Sequence, residues 1–388
     1  MGCQNSAIVP NDDNNNLKSQ DLHPSTEKEE SNTSRDNPSS TDEALQQLRD
    51  RIEEPGEVST SYHMMSSSTI LPSRMKTEEG FLVRRDPPES SLPESVMPVT
   101  ELFNLICIGY RVPHISDPAY MLIIDCREIS QYSDNHIVTA RHYTALDEQR
   151  DCHLDTGGCN KFAVIVVYGE STEDAKAQEM YNRITEKDLY VQVVEGGFPE
   201  FNSFAPFLCT NKLLQTELER KANIITYPSV ILKDALYQGS AVHAENKVVI
   251  DNLKITHIVN VTTEVGCPFQ ESCEYLHLKF ADEGGANLFS VFERAADFIA
   301  DALKQSGNRV MVHCVMGVSR SSSITISFLM KYFSMSLNDA YTFLKDRRSV
   351  AAPNTGFTHQ LASYEEHLFG EKLTDPDEIL FTAGPRVR

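Results

Sequence analysis

The chain has 388 residues, 40% of them hydrophobic, and a formal net charge of −21. That length allows two ordinary domains plus tails, since a single core rarely outgrows about 250 residues. The acidic balance excludes a general nucleic-acid binder, which needs a basic surface to displace counterions, and it requires any pocket for an anionic substrate to be locally positive.

The chain begins Met1-Gly2-Cys3-Gln4-Asn5-Ser6. This fits a myristoylation pattern with Gly2 as acceptor and Ser6 at the favoured position, and Cys3 is a palmitate candidate. One myristoyl chain anchors only marginally. The first thirty residues carry Lys18 and Lys28 against six acids, so the second signal falls to Cys3 rather than to a basic patch. The expectation is a cytoplasmic protein anchored to the inner face of the plasma membrane. Residues 1–95 are poor in aromatics and rich in Asn, Asp, Ser, Glu and Pro, a composition that cannot bury enough apolar surface to fold; they read as a disordered tail. Within it, Leu45, Leu48 and Ile52 stand at helical spacing over 41–54, with Ser40 and Glu43 as a capping box and Pro55-Gly56 as the stop.

From 97 to 212 strands and helices alternate. Thr100 caps a helix running to Tyr110; Tyr120–Ile124, Phe162–Tyr168 and Val191–Val194 read as buried strands, with a helix over 172–186. Such alternation predicts a parallel, helix-covered sheet. Residues 213–227 read as a connector. A second alternating region covers 228–370, with strands at Ile258–Val261 and Val310–Val312, helices over 289–305 and 321–333, and a further helix started by Ser336 and Asp339. Residues 371–388 return to a polar tail. The fold class is α/β, in two domains.

The nine cysteines form no framework spacing and fit a reducing compartment. Cys152-His153 with Cys159 lacks a fourth zinc ligand, so no metal is expected. No apolar run reaches the ~18 residues of a membrane helix.

The decisive stretch is Val310-Met311-Val312-His313-Cys314-Val315-Met316-Gly317-Val318-Ser319-Arg320-Ser321. A buried strand delivers Cys314 to its end, a short loop follows, and a helix begins near Ser321. Backbone N–H groups of Val315, Met316, Gly317, Val318 and Ser319, aimed inward at a helix N-terminus, make a cradle for a dianion. The same field favours a thiolate, so Cys314 is expected to titrate below the free-thiol value of about 8.5. Arg320 supplies a planar fork for two phosphate oxygens. Gly317 admits a close backbone approach. Ser321 donates to the sulfur as it leaves, and His313 braces the loop by hydrogen bonding. A lone cysteine at a strand end is ordinarily a packed core residue; the Cys-x5-Arg-Ser spacing behind an apolar strand argues for a nucleophile instead. A proton for the leaving oxygen would come from Asp282, in Phe280-Ala281-Asp282-Glu283-Gly284-Gly285, with Glu283 as the rival.

These residues resemble the dual-specificity protein phosphatases, especially the MAP kinase phosphatases. Asp282 precedes Cys314 by 32 residues and is followed by Asn287, Leu288 and Phe292; Ala352-Pro353-Asn354, Phe357 and Gln360-Leu361 are similar to the family's closing segment. The resemblance covers 228–370. It implies hydrolysis of phosphotyrosine and phosphoserine/threonine on proteins through a phosphocysteine, with no cofactor, and MAP kinases among the partners. Asp125-Cys126-Arg127-Glu128, Tyr132, His136-Ile137, Ala140 and Gly196-Gly197-Phe198 make 97–212 similar to a rhodanese-type module. Gly169-Glu170-Ser171 stands where an active rhodanese has its cysteine, which implies an inactive docking domain. The arginine cluster with which such modules bind kinases has no counterpart here, Arg84-Arg85 being the nearest basic pair. The arrangement is also similar to the serine/threonine/tyrosine-interacting-like pseudophosphatases, which have lost the cysteine; a phosphoprotein-binding scaffold is therefore the rival reading. A lipid phosphatase would call for basic residues where Val315 and Met316 are apolar.

Overall fold

A computed structural model describes residues 71–72, 74–87, 92–109 and 113–382. The acylation candidates Gly2 and Cys3 and the amphipathic 41–54 segment lie outside the described residues.

The first domain is built on a parallel sheet of five strands, β1 (Val96–Met97), β2 (Met121–Asp125), β4 (Arg141–His142), β5 (Val164–Tyr168) and β6 (Gln192–Val194), in the order β1-β6-β5-β2-β4. A small antiparallel pair, β3 (His136–Ile137) and β7 (Cys209–Thr210), lies beside it. Strand β2 is buried along its whole length because helices cover both faces. Its alternation sorts side chains between two cores: Leu122 and Ile124 join Ile165, Met180 and Ile184, while Met121 and Ile123 face Phe103, Tyr168 and Phe201.

The second domain carries β8 (Ser229–Leu232), β9 (Leu236–Gly239), β10 (His257–Asn260), β11 (Glu274–His277) and β12 (Val310–His313), in the order β11-β10-β12-β9-β8. All pairings are parallel except β8 with β9. The helix Arg320–Phe333 runs buried from Arg320 to Lys331, packed among Phe289–Leu303, Leu337–Arg347 and Thr355–Phe369. In its interior Ser322, Ser323 and Ser327 donate to the Val318, Ser319 and Ile324 carbonyls, while Thr325 Oγ1 is buried without a hydrogen bond.

The two sheets share a core. Phe103 of the helix Val99–Cys107 meets Tyr227, and Val230, Ile258 and Met311 of the second sheet close the same cluster. Asn104 fixes the seam: its Nδ2 donates to the Val230 carbonyl (3.0 Å) and its Oδ1 accepts from the Val230 N–H (2.7 Å).

Four sequence expectations change. The helix expected from Thr100 to Tyr110 is Val99–Cys107, opened by Pro98, whose fixed φ of −58° starts the turn without a side-chain cap. The connector 213–227 contains the helix Glu217–Asn223, held by Arg220 rather than by an apolar stripe; Arg220 is 1% exposed and donates to the carbonyls of Leu214, Ile115 and Asp117. The polar tail from 371 turns into the helix Pro376–Thr382, which buries Ile379. The tail of 1–95 is ordered at its end: Leu82 enters the second domain's core, its N–H donates to Leu368, and Arg84 pairs with Asp339 at 2.9 Å. A single well-placed leucine, with backbone hydrogen bonds, secures what composition alone made look unfoldable.

Candidate active site

Strand β12 occupies the middle of its sheet, between β10 and β9. Val310 and Val312 point into one apolar core and Met311 into the other, so the strand cannot slide, and Cys314 is delivered past its C-terminal end. The helix beginning at Arg320 closes a loop of five residues between them.

Cys314 is 1% exposed. Its Sγ accepts from the Gly317 N–H at 3.2 Å and lies 3.3 Å from Ser321 Oγ. The loop carbonyls are tied outward. Val315 O accepts from the Ala241 N–H, Gly317 O from Arg348 Nε and Gln238 Nε2, and Val318 O from the Ala352 N–H and Ser322 Oγ. The described chain has no cis peptide, so each outward carbonyl turns the next residue's N–H inward. Met316, Val318 and Ser319 thereby present their N–H groups toward the space above the sulfur, the cradle inferred from sequence. Gly317 has φ +72°, and a Cβ there would stand 2.5 Å from Gly239 O. No other residue type fits.

Arg320 is 3% exposed at the mouth of this ring. Its fork is gripped from behind by Glu264, with Nη1 to Oε2 at 2.9 Å and Nη2 to Oε1 at 3.2 Å, and Nη1 also donates to Phe280 O at 2.8 Å. Arg320 holds the Glu264 carboxyl at about 2, well below the carboxylate range. Arg320 Nε carries no hydrogen bond, its nearest anion being Asp282 Oδ2 at 3.6 Å.

Asp282 lies against the loop, not loose in a turn. Its Oδ1 accepts from Ser319 Oγ (2.7 Å) and Asn354 Nδ2 (2.9 Å), which leaves Oδ2 on the Arg320 side. Asn354 is fixed in turn because its Oδ1 caps the helix Thr355–Phe369 through the Phe357 N–H. Asp282 and its rival Glu283 are both exposed, and the bonds to Ser319 and Asn354 are what single out Asp282. His313 is fully buried; its Nδ1 donates to the Cys314 carbonyl at 3.3 Å, and burial lowers the imidazole to about 4, so it is neutral. It braces the loop and carries no charge into it.

The structure therefore brings together Cys314, Gly317, Ser319, Arg320, Ser321 and Asp282. Glu264, Gln238, Asn354 and Arg348, which act on them, were not singled out by sequence reasoning; only Asn354, within the closing segment, carried any signal. In the first domain, the loop after β5 is filled: Gln131 Nε2 donates to Glu170 (2.9 Å), and Arg127, paired with Asp125, lies 3.6 Å from the Phe198 ring centroid. Cys126 is buried and its thiol is pushed far up by burial. Cys159 Sγ donates to the Cys152 carbonyl at 2.8 Å, and among the described residues no group of three His, Cys, Asp or Glu could hold a metal ion.

Comparison with known proteins matches residues 236–367 to the dual specificity phosphatase catalytic domain and 113–204 to the rhodanese-like domain. A Dictyostelium discoideum protein, a probable rhodanese domain-containing dual specificity protein phosphatase, is 38% identical over 186 residues, which are 48% of this chain and 39% of that protein. Dual specificity protein phosphatase 1 of Mus musculus is 29% identical over 247 residues, 59% of this chain and 64% of that protein. Dual specificity protein phosphatase 18 of Mus musculus is 39% identical over 137 residues, 35% of this chain and 72% of that protein. The chain thus spans less than two thirds of the first two.

Proposed function

We propose a protein phosphatase activity for this chain, which belongs to the dual specificity protein phosphatases. The observation that carries the reading is the Cys314 sulfur, which accepts the Gly317 N–H inside a ring of inward-facing amides closed by Arg320. The Cys314 thiolate attacks the phosphorus of a phosphotyrosine or phosphoserine/threonine, forming the S–P bond as the P–O bond to the side chain breaks. Asp282 protonates the departing oxygen. In the second step Asp282 takes a proton from water, whose oxygen attacks the phosphocysteine, and Ser321 donates a hydrogen bond to the sulfur as it leaves. Arg320 and the loop amides balance the charge of the transferring group throughout. The reaction consumes water and needs no cofactor.

Phosphorylated proteins are the substrate class, MAP kinases being the candidates that the sequence resemblance raises. The first domain serves as a docking module, and Gly2 and Cys3 carry lipid that holds the protein at the inner face of the plasma membrane. The support for anchoring is the Met1–Ser6 pattern; Cys3→Ser should then move the protein to the soluble fraction, and unchanged membrane retention refutes dual acylation. A phosphoprotein-binding scaffold is the competing reading, favoured by the prior engagement of Arg320 with Glu264 and Asp282. Turnover of p-nitrophenyl phosphate that is lost in Cys314→Ser separates the two. Binding of phosphopeptides without any turnover by the wild type overturns the enzyme.

A further inference from the structure

The buried side of the phosphate loop meets a second guanidinium. Arg348 follows the helix Leu337–Arg347 and is 6% exposed. Its Nε donates to the Gly317 carbonyl at 2.8 Å and its Nη1 to Ser229 Oγ at 3.0 Å. Gln238 Nε2 completes the arrangement, donating to the same carbonyl at 3.3 Å and to Ser322 Oγ at 2.8 Å. Among the described residues no carboxylate forms an ion pair with Arg348, and burial lowers the guanidinium to about 10. The two nearby imidazoles, His243 and His313, are held neutral by burial, to about 3 and about 4.

A buried cation with no carboxylate is costly unless another negative charge compensates it. The negative charges this loop is built to hold are a thiolate and a phosphate. Geometry supplies the route between them and Arg348. The Gly317 carbonyl and the Val318 N–H belong to one trans peptide and point in opposite directions. Two donors on the carbonyl oxygen hold it outward, aim the N–H at the ligand site, and polarise that N–H toward stronger donation. Gly317's own N–H already reaches Cys314 Sγ.

We propose that Arg348 is a positioning residue for phosphoryl transfer: from behind the loop it orients the Gly317–Val318 peptide and supplies the positive charge that favours a bound dianion. This rests on the phosphatase reading above. It adds a residue that touches neither substrate nor nucleophile and acts through one peptide group.

The test uses the full chain, with orthovanadate as the dianion probe and p-nitrophenyl phosphate as substrate. Arg348→Met should weaken vanadate inhibition and lower kcat/KM together, by roughly tenfold to a hundredfold, the scale of a lost charge-assisted hydrogen bond. Arg348→Lys keeps the charge without the fork and should recover part of both. Ser229→Ala loosens the Nη1 anchor without touching the loop and should shift both readings in the same direction by a smaller factor. If Arg348→Met keeps wild-type vanadate inhibition and kcat/KM per folded molecule while only its melting temperature falls, Arg348 is a structural brace and the proposal is wrong. Should Arg348→Met not fold, unchanged vanadate inhibition in both Arg348→Lys and Ser229→Ala overturns it equally. A wild type that neither turns over substrate nor binds vanadate overturns the phosphatase reading instead.

Discussion

Replacing Gly317 by alanine tests the loop geometry at its tightest point. Its φ of +72° lies in the left-handed region, where a side chain costs about 1–2 kcal/mol. The new methyl would stand 2.5 Å from Gly239 O, 2.6 Å from Arg348 Nη2 and 2.7 Å from the Gly239 carbonyl carbon. Two of these are backbone atoms of β9, hydrogen-bonded to β12, and they cannot step aside cheaply. The loop must therefore move and give up the Gly317 N–H to Cys314 Sγ and the Arg348 bond to Gly317 O. Each is worth about 1 kcal/mol or more. The sum is about 4 kcal/mol, which for a domain of this size lowers the melting temperature by about 10 °C. Losing one preorganised donor to the transferring phosphoryl group should lower kcat by a further hundredfold or so in folded molecules. Thermal melting together with single-substrate kinetics reads both effects. A Gly317→Ala protein within twofold of wild-type kcat/KM, with an unchanged melting temperature, would refute the outward-carbonyl picture of the loop.

Glu264→Gln should reduce kcat/KM by about tenfold, because Arg320 keeps its position but loses the charged partner that orients the fork. The Glu264 carboxyl, held at about 2, lies below its unfolded value, so its contribution is complete above about pH 4.3 and is lost only as pH falls toward 2; the wild-type and variant activities should keep a constant ratio from pH 5 to 8. His243 and His313 are both held below the ordinary imidazole value, so protonation favours the unfolded chain. Their stability contribution is whole above about pH 6.5 and declines as pH falls toward about 4 for His313 and about 3 for His243, at ~1.4 kcal/mol per pH unit for each; a urea midpoint that stays flat from pH 6.5 to 4.5 would contradict this. Asn104→Ala removes two hydrogen bonds to the buried Val230 backbone and should cost about 2–3 kcal/mol in urea unfolding, and no loss would mean those bonds add nothing.

The loop from His313 to Ser321 was legible in the sequence because its logic is local: an apolar strand, five residues and a buried helix fix Cys314, Gly317 and Arg320 relative to one another. Asp282 was legible through its apolar approach from Tyr275 to Phe280, although what holds it, Ser319 and Asn354, comes from elements 37 and 72 residues away. Glu264 gave no signal, being an acid in a polar turn 56 residues from the arginine it grips. Arg348 gave no signal either, yet it is buried, with Gly317 O and Ser229 Oγ as partners that only the tertiary fold supplies. The same reason accounts for the ends. The Glu217–Asn223 helix and the Leu82 segment are secured by one arginine and one leucine, too little for composition or periodicity to register.

Asn104 has a consequence for how this molecule can be divided. Strand β8 forms the outer edge of its sheet, and the amide of Asn104 engages Val230 there as a neighbouring strand would, with one donor and one acceptor. A catalytic fragment excised without the helix Val99–Cys107 would carry that edge bare, its backbone groups open to pairing with the same edge of another copy. In the intact chain that donor and acceptor of Val230 are already taken by the first domain.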